Sequence, residues 1–350
     1  MGANSETRTY TALQTTTLEN WAKGLSDAIT TGNFFYYMLK RTGTFQSVDA
    51  LGERCRFGLR YQNSNVDSYS NYDVIDTTPI DGITSAFYPW AQCATTISIA
   101  RKEERQNSGE YQQLNLLEEK TNQAQDGIVE FFNKAWLQGN GINSATAITT
   151  AYTSPINGST FVEPLALQIA HTNSSGTIGS LSASNTWWRN QSGTATDTNF
   201  ASFMKDISHM NNLCAKGPGG APDTHLVDQS TYEFYEAALR SLHHNQDYSR
   251  ADIPFENIAF HKNPVTWDEF LPNSSGTTTA QSTTQGTWYM LNSKFMWVKY
   301  DSQTNFLVTP FISPENQDAK TAKILWYGAT GITNRRKHGV LDDINTTLTS

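Results

Sequence analysis

Glu233 and Glu236 lie three positions apart in a stretch with helical periodicity, and two carboxylates one turn apart are the residue types of a general acid–base pair. A sugar-cleaving pair, however, faces its substrate from two sides at ~5 Å or ~6.5–9.5 Å, which normally takes two elements. His243, His244 and Asp247 are metal-ligand types, yet adjacent histidines at a helix end also serve by capping its carbonyls. Gly328-Ala329-Thr330-Gly331 lacks the lysine of a phosphate-binding loop and falls in strand-like sequence, and neither HExxH nor GxSxG occurs. Trp187-Trp188 offers rings to a sugar, but neighbours on a strand point to opposite sides, so one at most would be presented; burial in the core is the competing role. The densest basic cluster is Asn334-Arg335-Arg336-Lys337-His338, with Asp342-Asp343 close behind, and it suits a phosphate patch or an ionic seam with another chain. The chemistry comes in fragments, none of them complete.

Composition narrows the classes. The 350 residues carry a net charge of −8, with a pI of about 5.4. Charged residues make up 17% against ~25% in an average globular chain, while mean hydropathy is −0.51, so the polarity is supplied by Thr, Ser, Asn and Gln. Aromatic residues at 12% supply a core. No large Lys/Arg cluster is present to neutralise a nucleic-acid backbone. Cys55, Cys93 and Cys214 form no CxxC pair, so the expectation is buried thiols in a reducing cytosol, not a disulfide frame or a zinc site. No signal peptide, membrane span or myristoylation signal is read: the start lacks a basic flank before an apolar run, no run of 18 apolar residues occurs, and Glu6 breaks the Gly2 motif. Such a chain is read as built to contact other proteins, with no cofactor. A glycan-active enzyme shares the composition and stays open.

The elements that would position these residues follow from periodicity. The first fifteen or so residues read as a polar arm; Thr16 with Glu19 forms a capping box before a short helix carrying Leu18, Trp21, Leu25 and Ala28, and Asn33–Leu39 is a dense apolar knot. Cys55, Phe57, Leu59 and Tyr61 alternate with Arg54, Arg56, Gly58 and Arg60, a period of two. The run Cys93, Thr95, Ile97, Ile99 matches it, and the polar stretch 62–84 between them holds Tyr69, Tyr72, Asp73 and Asp76. The pattern predicts a long antiparallel ribbon with an irregular tip, one face of which bears three arginines suited to an acidic surface. Two strands alone are marginal in water, so the ribbon needs support. From Glu103 to Trp136, Tyr111, Leu114, Leu117, Thr121, Ala124, Ile128, Phe131 and Ala135 recur at steps of three and four, which predicts one uninterrupted helix ~50 Å long, stopped by Gly139-Asn140-Gly141. Beyond it come a Thr/Ser/Gly-rich stretch, a helix with Phe200, Phe203, Ile207 and Met210, a strand at Thr224–Val227 and a helix opened by Asp228. A low-complexity loop at 272–286 precedes strands at Trp288–Leu291, Phe295–Val298, Phe306–Phe311 and Lys323–Tyr327.

In this order the parts resemble the major capsid proteins of tailed bacteriophages, the Hong Kong 97-type fold. The likeness is carried by Arg56-Phe57-Gly58-Leu59-Arg60-Tyr61 as the outgoing strand of the extended loop and by Asn107-Ser108-Gly109-Glu110 with Leu114 at the start of the spine helix. Pro222–Val227 with Tyr232 and Tyr235 stands as the strand–helix unit of the axial domain, and Thr333–Leu341 as the closing strand of the peripheral domain. The resemblance implies an α+β chain divided into an N-terminal arm (1–44), an extended loop (45–100), a peripheral domain (101–141 and 287–350) and an axial domain (142–286). It implies pentamers and hexamers closing into an icosahedral head around double-stranded DNA bound without sequence specificity, in a virion assembled in the host cytoplasm. No lysine lies between Lys40 and Lys102, so a crosslinking lysine on the loop is missing and the joints are expected to be non-covalent. A separate scaffolding protein, a portal protein and a cement or decoration protein are the expected partners, without a membrane. Arg54, Arg56, Arg60, Tyr69, Tyr72, Arg335, Arg336 and His338 are the expected subunit-interface residues. An encapsulin-type compartment, with the same fold, and a tail or decoration protein remain as rivals.

Overall fold

The computed structural model describes residues 34–49, 52–106, 116–138, 164–174, 176–195, 199–241, 258–268, 270–271, 285–314 and 317–347. The apolar knot forms the first helix, α1 (Phe34–Arg41), which buries Phe35, Met38 and Leu39 and ends on Lys40 and Arg41, where positive charge meets the carbonyl end of the helix. Strand β1 (Phe45–Val48) follows, then the ribbon strands β2 (Cys55–Arg60) and β3 (Ile83–Tyr88), and then β4 (Ala91–Ala100). The ribbon is antiparallel, in register from Cys55↔Tyr88 to Arg60↔Ile83. Its return strand is therefore 83–88 and not the expected run 93–99. Both runs alternate, but the nearer one closes the shorter loop, and β4 is taken up by another sheet.

Arg101–Gln106 (α2) and Leu116–Gln138 (α3) are helical, and α3 buries Ala124, Ile128 and Ala135 of the predicted stripe and stops at the residue before Gly139; Phe132, not the expected Phe131, is the buried ring between them. They are not one straight rod. Lys120 Nζ lies 2.8 Å from Glu103 Oε2 and 3.2 Å from the Ser98 carbonyl, whereas 17 residues of continuous helix would hold Glu103 and Lys120 ~25 Å apart. A 3–4 period reports which residues share a helical face, not the relative direction in which α2 and α3 run. Positions 107–115, the helix expected at 18–28, and His243, His244 and Asp247 lie outside the described residues.

The second half opens with a single turn, α4 (Leu165–Gln168), the small hairpin β5 (Thr177–Ile178) with β6 (Leu181–Ser182), and β7 (Gln191–Thr194). Helix α5 (Phe200–Ala215) starts on a capping box in which Asn199 Oδ1 accepts the Ser202 amide at 2.9 Å, and Ser202 Oγ accepts the Asn199 amide at 3.1 Å. Next come β8 (Thr224–Val227), α6 (Gln229–Ser241), β9 (Ile258–Phe260), β10 (Asn263–Trp267) and β11 (Gln285–Leu291), then β12 (Met296–Asp301), β13 (Leu307–Val308), β14 (Ala319–Ile332) and β15 (Gly339–Asn345).

Two larger sheets result. One has the order β1-β12-β14-β13, with β4 also pairing β14; the other is six-stranded, β7-β15-β11-β8-β10-β9. All four side chains of β8 are buried, as expected of an inner strand covered on both faces. Phe203, Ile207, Met210 and Cys214 of α5, with Phe234 and Tyr235 of α6, pack on Val227, Trp288, Met290 and Leu341 of this sheet. Asp228 fixes the corner: its carboxylate accepts the Thr231 amide (3.1 Å) and hydroxyl (2.6 Å) at the start of α6, and the Thr287 amide (2.7 Å) of β11. The C-terminal strands do not stay together. β12 and β14 share a sheet with β1, whereas β11 and β15 pair with β8 and β7, so the closing strand at 339–345 belongs to the sheet of the strand–helix unit. Two compact units are distinguished, Cys93–Glu130 with Thr304–Trp326, and Gly32–Gln92 with Phe131–Gln303 and Tyr327–Ser350.

Two histidines are enclosed in the second of these units. His225 Nδ1 accepts from the Trp288 indole at 3.1 Å, and His338 Nδ1 accepts from the Asn292 amide at 3.3 Å, so in both rings the proton sits on Nε2. Burial pushes each down to about 3, with His261 adding to the effect at His225 and Arg335 at His338. Both rings are therefore neutral in the folded chain and take up protons near pH 6.5 once unfolded. Stability is complete above that pH and falls as pH drops toward 3, by about 1.4 kcal/mol per pH unit for each histidine. Urea unfolding between about pH 7 and pH 4 is expected to show this loss, and His338→Gln is expected to make its slope shallower; an unchanged slope would refute the assignment.

Candidate subunit interface

The ribbon presents two different faces. Cys55, Phe57 and Leu59 of β2, with Ala86 and Tyr88 of β3, turn inward, while Arg56, Gly58 and Arg60 turn outward beside Phe87, Ser85 and Ile83. The inward face is gripped by aromatic rings. Phe57 lies on Trp297 with centroids 4.1 Å apart, Tyr88 meets Trp297 edge-on at 5.2 Å, and the Lys299 ammonium sits 4.2 Å above the Phe57 ring. Tyr88 also donates its hydroxyl to the Ile332 carbonyl at 2.8 Å. A side chain at Gly331 would strike Trp297 and Tyr88, so only glycine lets these rings close over β14. Ile178 and Trp188 complete the cluster, and Tyr61 stacks on Trp187 at 4.8 Å. The adjacent tryptophans thus act together in one support. Trp188 is buried, its indole donating to the Ile178 carbonyl at 3.1 Å, and Trp187 props the ribbon. They sit in a turn, not on a strand, so strand alternation does not apply to them. Burial raises the Cys55 thiol against the opposing pull of Lys299.

Beyond this support the chain is bare. Residues 62–82 contain no regular element, and large apolar side chains stand in solvent: Tyr72 is 99% exposed, Val74 97%, Val66 92% and Tyr69 70%. Local bonds shape the tip without covering it. Asp73 Oδ2 accepts the Ser70 amide at 2.9 Å; Asp76 Oδ1 accepts the Thr78 hydroxyl (2.6 Å) and amide (2.9 Å), while Asp76 Oδ2 accepts from Asn65 at 2.8 Å. The Thr78 hydroxyl and then its amide hold the Asp76 carboxyl below the usual carboxylate range. The loop is pinched where it leaves the ribbon: the Tyr61 amide donates to the Gly82 carbonyl at 2.9 Å, and any side chain at Gly82 would strike the Gln62 backbone.

The expected interface residues fall into two groups. Arg54, Arg56, Arg60, Tyr69, Tyr72 and Arg336 are exposed; Arg56 lies 5.4 Å from the Phe87 ring, and Arg54 stands 3.8 Å from Glu53, with both side chains in water. Arg335 and His338 are instead enclosed in their own chain at 0% exposure, and the C-terminal basic cluster is not a surface patch. Arg335 donates to the Gln168 carbonyl (2.7 Å), the Trp188 carbonyl (3.3 Å) and Asn190 Oδ1 (2.9 Å). Lys337 is held by the carbonyls of Lys216 and Gly217, both at 3.0 Å, at the carbonyl end of α5, and burial lowers its pKa. Sequence cannot distinguish a solvated basic run from one whose donors find carbonyls inside, because the carbonyls arrive from segments far back along the chain. A second exposed apolar stretch, Leu307, Val308, Phe311 and Ile312, reads in the sequence only as a strand; in the fold, β13 lies at a sheet edge. Glu233 is exposed and bonded to Gln229 on the same helix.

No protein-family model and no curated protein matches the sequence. Solved structures do. The chain is similar to the capsid protein of cyanophage A-1(L) (TM-score 0.65, 14% identity, 94% of this chain and 97% of that one) and to the SrpI encapsulin of Synechococcus elongatus (0.56, 11%, 99% and 98%). It is also similar to the capsid of a native GTA particle (0.56, 12%, 93% and 95%). The chain has the Hong Kong 97-type α+β capsid fold over nearly its whole length.

If the rings around Trp297 carry the ribbon, Trp297→Ala is expected to free it at its base. Such a truncation costs roughly 3–5 kcal/mol, and hydrogen exchange at the β2 and β3 amides is expected to rise by at least about tenfold while the β8 and β11 amides stay protected. Equal loss of protection in both places would mean that Trp297 supports the unit as a whole.

Proposed function

We propose that this chain is the major capsid protein of a tailed double-stranded DNA bacteriophage, forming pentamers and hexamers that close into an icosahedral head. The observation that carries this reading is the bare ribbon tip. A fold shared with shell-forming proteins over nearly its whole length bears a loop of exposed rings and aliphatic side chains for which its own ribbon base offers no cover. A surface of this kind is a contact surface, and a head-to-tail contact related by rotation closes into rings. The spine helix with the β12–β14 sheet would form the peripheral domain and the six-stranded sheet the axial one. A net charge of −8, with no large Lys/Arg cluster in the sequence, fits a wall that encloses DNA without gripping it. With no lysine between Lys40 and Lys102, the loop would hold by packing and ionic contact, and scaffolding, portal and decoration proteins would be separate chains.

The likeness to an encapsulin supports a second reading, a protein compartment with the same wall. Expression of the full chain, alone and with candidate scaffolding proteins from the same genome, followed by negative-stain microscopy, is expected to give closed shells of uniform diameter. Monodisperse monomers under every condition would refute both readings. Shells that form without a scaffold and fill with a host enzyme would decide for the compartment.

A further inference from the structure

The ribbon carries opposite charges on its loop and on its outgoing strand. Residues 62–82 contain Asp67, Asp73, Asp76 and Asp81 and no lysine or arginine, while Arg54, Arg56 and Arg60 are spaced along β2 from the residue before it to its last pair with β3. All seven side chains are exposed. Among the described residues none of the four aspartates has an ion-pair partner, and Arg54 has only the distant Glu53. We propose that the acidic loop of one copy docks on the arginine face of the ribbon of a second copy, latching ribbons head to tail. The proposal rests on the shell reading above and names the surface that receives the tip.

The chemistry of the two surfaces matches beyond sign. A guanidinium takes a carboxylate through paired N–H donors and takes an aromatic ring on its flat face, and the loop supplies both groups in Asp73 and Asp76 with Tyr69 and Tyr72. Arg56 already lies over the Phe87 ring, 5.4 Å from its centroid, and its side chain is exposed. Beside Arg60, the aliphatic side chain of Ile83 is 72% exposed, a floor for Val74 and Ile75 of the incoming loop. The loop does not satisfy its own strand: Asp67, Asp73, Asp76 and Asp81 lie beyond the last ribbon pair, Arg60↔Ile83, and among the described residues none is ion-paired with Arg54, Arg56 or Arg60. A loop of this length reaches up to ~30 Å from the ribbon, so a second copy is within range. Each copy then gives a tip and receives one, a heterologous contact of the kind that propagates around a ring. The competing acceptor is the apolar edge at Leu307–Ile312.

The test uses the full-length chain under whichever conditions give wild-type shells. Arg56→Glu with Arg60→Glu is expected to lower the yield of closed shells at least about tenfold, and Asp73→Arg with Asp76→Arg to do the same, each variant keeping the wild-type circular dichroism spectrum. The fourfold variant, with charges exchanged between loop and strand, is expected to recover most of the yield. Wild-type yield from either double variant, or no recovery in the fourfold one, would overturn the latch while leaving the shell reading intact. A second measurement does not depend on tolerance of reversed charge. Shells co-assembled from Asp73→Cys and Arg60→Cys chains and mildly oxidised are expected to give disulfide-linked dimers at least about tenfold above either variant alone. Preferential dimers between Asp73→Cys and Thr309→Cys chains would place the tip on the β13 edge and overturn the proposal.

Discussion

The ring stack around Trp297 is the constraint on which the rest depends. A two-stranded ribbon has too little surface of its own to stay folded in water, and this one extends into a loop that adds exposed apolar area without adding support. Phe57, Tyr88, Trp297 and the overlying Lys299 fix the base of the ribbon against β12 and β14, and Gly331 is the position that lets the rings approach. With its base rigid, the tip is held out as a surface and does not collapse onto the nearest apolar side chains. The position of the ribbon follows from an internal contact, and Arg56, Gly58 and Arg60 on the outward face of β2 stay exposed.

Around the six-stranded sheet, three buried charged side chains are held largely by backbone groups. Arg335 donates to the Gln168 and Trp188 carbonyls and to Asn190, Lys337 caps the carbonyl end of α5, and Asp228 gathers the amides that start α6 and continue β11. Buried charge is costly unless its hydrogen-bonding groups are filled. Each of these side chains joins segments far apart in sequence, so the bonds fix which helix end meets which strand. The enclosed histidines belong to the same scheme, since each accepts a hydrogen bond from the neighbouring strand or turn only while neutral.

Much of the site is legible in the sequence. The alternation of Cys55, Phe57 and Leu59 with Arg56, Gly58 and Arg60 separates the inward from the outward face of β2, because side chains on a strand can only alternate. The bounds of β8 and the start of α6 follow from a short strand-like run and a capping aspartate. What misleads is chemistry read as surface. The run Arg335–His338 looks solvated by composition, yet three of its four side chains are enclosed. The segment from Glu103 to Trp136 looks like one rod, but Lys120 within 2.8 Å of Glu103 shows that α2 and α3 do not continue one straight axis.

By itself the sequence determined the local periods, the helix start at Asp228, the position of the loop without lysine, and the signs of charge on the loop and on β2, because these depend on residue type and spacing alone. Only the tertiary structure decided which of two alternating runs returns to pair with β2, that 339–345 closes the sheet of β8 and not that of β12, and that Arg335 and His338 face inward. Those outcomes depend on donors, acceptors and rings contributed by segments distant along the chain, and no local spacing encodes which of them will meet.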